Sequence, residues 1–281
     1  MNASMEQHVL SRPVTRWGRW MYRFLPYRKK VIEANIRQVF GKHISIEAQQ
    51  HLAKAFYSHL GKIISETLRL RFLSEQQLMN MVSIEGHQHL FDVAAKGKGV
   101  LILTGHFGNW EFAPLGGMPQ FKDYKGCFHF IRRELGFKRL EQILFKRYYR
   151  AGLQVIPKKN ALDKIMQALE HNHAVVFVLD QHASLANKDG IAVEFFGKPA
   201  GTYRSLAMVA KYTEVPVVAA AGYRTADNRH VLKFYPPMDL VQPEGTESVI
   251  EANTRQYNQI LEQIIMEHPE QWWWLHKRWK I

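Results

Sequence analysis

The segment LILTGHFGNWEF, residues 101 to 112, runs from residues suited to a buried strand into a histidine, two turn-forming positions and a glutamate. His106 and Glu111 are five apart, which is not a same-face spacing on a continuous helix, so they meet only if the chain turns between them. Gly105 and Gly108 permit such a turn, and Asn109 is suited to cap the helix that opens there. A neutral imidazole with one nitrogen bonded to a carboxylate is held in one tautomer. It gains as a base because the carboxylate stabilises the imidazolium it becomes. Such help is typically worth about 10² to 10⁴ in rate, and it suits activation of a substrate hydroxyl. The plainer alternative is a strand-end histidine beside a first-turn glutamate that serves only the helix dipole.

Other chemistry-bearing residues also fall at strand ends. Arg132 and Arg133 follow GCFHFI, where a guanidinium can grip a phosphate or a developing oxyanion, or serve as a helix-entry cation. Asp180 and Gln181 close the most apolar strand, AVVFVLD, and Asp180 either fixes the following loop or binds substrate. EFFGKPAGT carries Phe195 and Phe196, read as the wall of an apolar channel or as plugs on the core. Trp272, Trp273 and Trp274 stand beside Lys277 and Arg278 as an interfacial anchor would, with at least one ring expected outside the core. His171, Asn172 and His173 read as a helix end, with no metal expected, and Cys127 as a small core residue within a strand. The sequence has no Gly-x-Ser-x-Gly elbow, no Gly-x4-Gly-Lys loop and no His-Glu-x-x-His zinc signature, which removes the usual serine hydrolases, nucleotide-binding P-loops and zinc proteases.

The elements that would position these residues alternate. Residues 31 to 82 read as helices, with Ile32, Ile36 and Val39 on one stripe and Leu52, Phe56, Leu60 and Ile63 on another. From Val82 onward, the strands VSIEG, VLILT, GCFHFI, LQVIP, AVVFVLD, VPVVAAAGY and HVLKFY are interleaved with helical stretches. These include 161 to 170, 202 to 212 and a long one from Glu247 to Met266. Alternation of this kind predicts an α/β fold with a central, mostly parallel sheet covered by helices. The stretch from His182 to Gly201 reads as a long loop, and loops of that length are usually functional or mobile. The expected organisation is a basic, aromatic N-terminal segment and helical layer over 1–82 and an α/β domain over 83–281, forming one structural unit. In open sheets of this type ligands bind beyond the carboxyl ends of the strands, where His106, Arg132 and Asp180 all fall.

Charge points to an anionic partner. The 281 residues carry 38 Lys plus Arg against 25 Asp plus Glu, a formal +13, which favours nucleic acid, phospholipid headgroups or an acidic protein. SRPVTRWGRWMYRFLPYRKK has no acidic residue and sets its cations among Trp17, Trp20, Tyr22 and Phe24. That mixture suits an anionic membrane surface better than nucleic acid. No stretch reaches the roughly 20 apolar residues of a spanning helix, no secretory signal is recognisable, and a single cysteine forms no internal disulfide. The expected place is peripheral, on the cytoplasmic side of the inner membrane.

TGHFGNWE resembles the His-x4-acid motif of the lauroyl and myristoyl acyltransferases of lipid A biosynthesis. FIRREL, VVFVLDQH, VEFFGKPAGT and HPEQWWWLHKRW resemble further segments of that family in the same order, so the likeness covers residues near 30 to 281. The resemblance implies a glycerolipid-acyltransferase-like fold with His106 as general base, Glu111 as its orienting acid and Arg132 as a charge stabiliser near the thioester or an acceptor phosphate. Asn109, Asp180 and Gln181 join Arg132 as substrate-binding candidates. It also implies a fatty acyl thioester donor, on acyl carrier protein or coenzyme A, a lipid acceptor hydroxyl and no cofactor or metal. The chain departs from the family pattern by having the short basic, aromatic segment in place of a membrane helix. The same chemistry on another acceptor therefore stays open, such as a lysophospholipid, an amino-acid lipid or a polyene head group, as does a non-catalytic lipid-binding module.

Overall fold

A computed structural model of the chain describes residues 2–132, 145–186 and 189–280. The strands are β1 (Val82–Glu85), β2 (Val100–Thr104), β3 (Phe128–Arg132), β4 (Leu153–Pro157), β5 (Ala174–Val178), β6 (Gly190–Phe195), β7 (Lys198–Tyr203), β8 (Val217–Arg224) and β9 (His230–Met238). Seven of them form one sheet in the order β1-β9-β8-β2-β5-β3-β4. All its pairs are parallel except β8 with β9. That pair is joined by a short turn, which only antiparallel strands allow.

Both faces of the sheet are buried, which is why its central strands read as unbroken apolar runs. Leu101, Leu103, Val175 and Phe177 point to one face, and Val100, Ile102, Ala174 and Val176 to the other, in two separate apolar clusters. Four helices precede the sheet: α1 (Ala3–Leu10), α2 (Arg16–Phe24), α3 (Lys29–Phe40) and α4 (Ile46–Arg69). They are followed by α5 (Glu75–Asn80), α6 (His87–Ala94), α7 (Phe112–Gly117), α8 (Ala161–Glu170), α9 (Ser205–Thr213) and α10 (Thr246–Glu267). Residues 145–150 are also helical. Helices α3, α4, α8, α9 and α10 cover the first face, and α6, α7 and Tyr148 the second. Ile32, Ile36, Phe40 and Phe56 of the N-terminal helices lie in the same buried cluster as Leu101, Val175 and Trp274. The helical layer therefore shares its core with the sheet.

Three local expectations are corrected. Much of the supposed loop from 182 to 201 is the hairpin β6–β7. Its two-residue turn, Phe196-Gly197, has φ of 51° and 69°, the backbone that strand twist favours in tight hairpins. A phenylalanine in the position usually held by Asn or Asp hid it. Cys127 lies just before β3 rather than inside it and is half-buried.

The tryptophan run is not an exposed anchor: Trp272 and Trp274 are 1% and 0% exposed. Their indoles meet edge to face at 4.7 Å, on one side of a segment that is locally extended at Trp272. Trp273 points the other way, where Phe56 and Trp110 cover it. Trp272 and Trp274 are thus core residues, while Trp273 is only partly buried and is the one ring of the three outside the buried core. Arg278 is 0% exposed and donates to the Gly201 carbonyl and the Thr202 hydroxyl, tying the C-terminus to the hairpin. Phe195 packs against Trp272 and Trp279 as a core plug.

Candidate active site

Strands β2, β3 and β5 run side by side and finish at one edge, which brings three sequence-distant segments together. His106 lies two residues beyond β2, Arg132 ends β3, and Asp180 lies two residues beyond β5. The Asp180 carboxylate grips His106 twice: Oδ1 is 2.8 Å from the ring Nδ1, and Oδ2 accepts from the His106 backbone N–H at 2.9 Å. The Trp272 indole N–H donates to the same Oδ2 at 3.0 Å. Gly105 makes this approach possible, because a Cβ there would sit 2.9 Å from that of Asp180. With Nδ1 committed to a carboxylate, the free lone pair is assigned to Nε2.

The carboxylate on the histidine is therefore Asp180 and not Glu111, which the family resemblance implies as the orienting acid. Phe107 pairs with Trp272, and Gly108, at φ 54°, donates its N–H to the Gln271 carbonyl. It is Trp110 that meets the imidazole, edge to face with ring centres 5.0 Å apart. Glu111 instead accepts from Arg132 Nη2 at 2.6 Å and from the Tyr148 hydroxyl at 2.5 Å, while the Arg132 guanidinium lies 5.0 Å from the Tyr148 ring centre.

Burial pulls the His106 pKa down, but the Asp180 charge and hydrogen bond outweigh it, with a further upward push from Glu111, so the imidazole titrates above its ordinary value. Asp180 is 2% exposed. Burial pushes its pKa up, yet the His106 charge and the bonds from His106 and Trp272 hold it below the usual carboxylate range. Burial and the neighbouring Glu111 push the Tyr148 hydroxyl well above the ordinary tyrosine range. It remains a donor.

A cavity of about 570 Å³ opens at this strand edge, lined by His106, Trp110, Glu111, Arg132, Tyr148 and Gln181 at its polar end. The Gln181 amide nitrogen lies 3.3 Å from His106 Nε2 and 3.4 Å from Nδ1, against the ring and within reach of whatever the ring touches. Of the substrate-binding candidates, Arg132 and Gln181 border this space. Asp180 and Asn109 do not. Asn109 is 1% exposed; its oxygen caps the N–H groups of Glu111 and Phe112, and its amide donates to Glu66. Arg133 lies outside the described residues.

Asn109 leads to a buried polar cluster that sequence reasoning missed. Glu66 of α4 accepts from Arg224 at 2.8 and 2.5 Å and lies 3.3 Å from His230. Arg224 Nη1 reaches His59 at 2.9 Å, and His59 contacts the Gly108 carbonyl at 3.2 Å. The only signal was that His59 and Glu66 interrupt the apolar stripe of α4. Tyr148 was missed as a polar group because residue spacing sets it on one helical stripe with Leu140, Ile143 and Leu144, which lie outside the described residues.

Fold and site together define an α/β protein with a carboxylate-bound histidine facing an apolar cavity at the carboxyl ends of parallel strands. The bacterial lipid A biosynthesis acyltransferase family matches over residues 2–281, and the chain belongs to that family. It is 26% identical over 275 residues to the lipid A biosynthesis palmitoleoyltransferase of Escherichia coli, across 95% of this chain and 83% of that one. With the lauroyltransferase of the same organism it shares 24% identity, across 94% of this chain and 82% of that one. The phosphatidylinositol mannoside acyltransferase of Mycobacterium tuberculosis is 23% identical, across 78% of this chain and 67% of that one.

Proposed function

We propose that the protein moves a fatty acyl chain from a thioester, on acyl carrier protein, to the hydroxyl of a lipid acceptor. The observation that carries this reading is the Asp180–His106 pair at the mouth of a largely apolar cavity. His106 Nε2 takes the proton of the acceptor hydroxyl, and Asp180 stabilises the imidazolium that forms. The resulting alkoxide attacks the thioester carbonyl, and collapse of the tetrahedral intermediate expels the thiolate, which takes the proton back from His106. Arg132, held in place by Glu111, bears on negative charge at the cavity mouth, either a developing oxyanion or a phosphate. Glu111 is thus a positioning residue for Arg132 and Tyr148. Neither a covalent acyl-enzyme nor a metal enters this scheme.

The same reading puts the protein on an anionic membrane surface. No helix among the described residues is long and apolar enough to cross a membrane. Helix α2 carries Trp17 and Trp20 stacked at 4.9 Å, beside Phe24 at 63% exposure, and Arg16, Arg19 and Arg23 lie exposed on the same helix. Trp17 packs over Gly61 of α4, and along that helix follow the exposed Ile64 and Leu68 and then Phe72 at 73% exposure. Exposed rings among cations are what an anionic lipid surface attracts.

The test is mass spectrometry of lipids from cells expressing the intact chain or His106→Ala. The expected result is a lipid heavier by one acyl group that appears only with the intact protein. Equal acylation by the folded His106→Ala protein would overturn the assignment.

A further inference from the structure

Two cavities under the sheet share one lining side chain. Across the sheet, Phe130, Val176 and Ile102 form a row in register, and all three line the cavity. The next row on that face, Phe128, Ala174 and Val100, lies two residues nearer the strand starts, about 7 Å lower. Phe128 lines a second cavity of about 280 Å³, which also touches Met79 of α5 and Gly152 before β4. Among the described residues, Met118 alone borders both spaces. It follows α7 directly, is 5% exposed and packs in the cluster under the sheet.

We propose that Met118 is the floor of the acyl-chain channel and sets the length of chain that the protein transfers, an inference that rests on the acyl-transfer reading above. The polar end of the catalytic cavity holds the reacting groups, so a chain attached there must run along the Phe130–Val176–Ile102 row and end against the thioether. Methionine is unbranched and adaptable, so it seals the gap without a rigid fit. The space behind it is small and mixed, with Met79, Phe128 and Ala151 beside Glu75, Lys122 and Lys125. Removing the seal therefore admits one two-carbon step rather than an open-ended lengthening.

The test compares wild type with Met118→Ala, Met118→Phe and Met118→Leu. One readout is the mass of the acyl group added to lipids in cells. The other is calorimetric binding of decanoate, laurate, myristate, palmitate and stearate to the purified full chain. Alanine should move the preference one step longer, phenylalanine one step shorter, and leucine should leave it near wild type. The expected change is about tenfold in the ratio of adjacent even chains, from two methylenes at about 0.8 kcal/mol each. If the wild type acylates lipid and both folded alanine and phenylalanine variants keep its chain length, Met118 is not the floor and the acyl-transfer reading stands. If no lipid is acylated but fatty-acid preference shifts as described, the channel stands and the reaction fails. If wild type binds no fatty acid and acylates nothing, both are overturned. The phenylalanine and leucine variants keep the question answerable should the alanine variant fail to fold.

Discussion

His106 is held by a residue 74 positions away in the chain rather than by its sequence neighbour, and the two carboxylates at this site then divide their work. Asp180, buried and bonded to Nδ1, fixes the tautomer; Glu111 orders Arg132 and Tyr148. Asp180→Asn should lower kcat by about 10⁴, the scale seen when an imidazole loses its orienting carboxylate. The His106 pKa is raised, so with His106 as the proposed base activity should climb as pH rises through that value. The acid limb of kcat/KM should lie above an ordinary histidine in wild type and move to lower pH in Asp180→Asn, because the imidazolium loses its counter-charge. Glu111→Gln should lower kcat/KM through loss of ordered Arg132 while moving that limb less than Asp180→Asn does. A larger shift from Glu111→Gln would return the orienting role to Glu111.

Helix α4 ties the N-terminal layer to the site through Glu66, Arg224, His59 and Asn109 behind the Gly108 turn. Arg224 is 3% exposed at its side chain, so removing its partner leaves a buried charge, and Glu66→Ala should cost about 3–5 kcal/mol in chemical denaturation. Glu66 has its pKa lowered to about 2: burial opposes this, but hydrogen bonds from His230 and Arg224 and the Arg224 charge prevail. Burial, with the Arg224 charge, lowers His59 to about 3. Both folded values lie below the unfolded ones, so each group contributes stability that is present above its unfolded pKa and lost as pH falls. For His59 the loss begins near the ordinary histidine value of about 6.5 and runs to about 3. For Glu66 it runs from about 4.3 to about 2. Urea midpoints should fall on acidification below about pH 6.5, and His59→Gln should flatten the upper part of that fall. An unchanged slope would mean that His59 takes a proton in the folded state as readily as in the unfolded one.

Taken as a whole, the molecule carries its formal +13 together with an exposed aromatic face on α2 and the end of α4. Changing Arg16, Arg19 and Arg23 to Gln should reduce partitioning onto vesicles containing anionic phospholipid by on the order of a hundredfold, at about 1 kcal/mol per cation. Changing Trp17, Trp20 and Phe24 to Ser should weaken binding in a way that added salt does not reproduce, since burial of rings is not screened. Binding to neutral vesicles equal to that on anionic ones would remove the electrostatic part of the proposal.

Much of this protein is legible from residue order. The strand and helix periodicities gave all seven strands of the large sheet, and β2, β5 and α8 almost to the residue, because apolar repeat depends only on local spacing. His106, Arg132 and Asp180 could each be placed at a strand end for the same reason. What residue order left open was which strand ends lie side by side. Strand order in the sheet is a long-range choice made by packing, and it puts β5 rather than the start of α7 against the histidine. The same holds for Trp272 and Trp274, whose burial depends on a second layer closing over them, and for Met118, which lies between two cavities only when α7, α5 and β3 converge on one point.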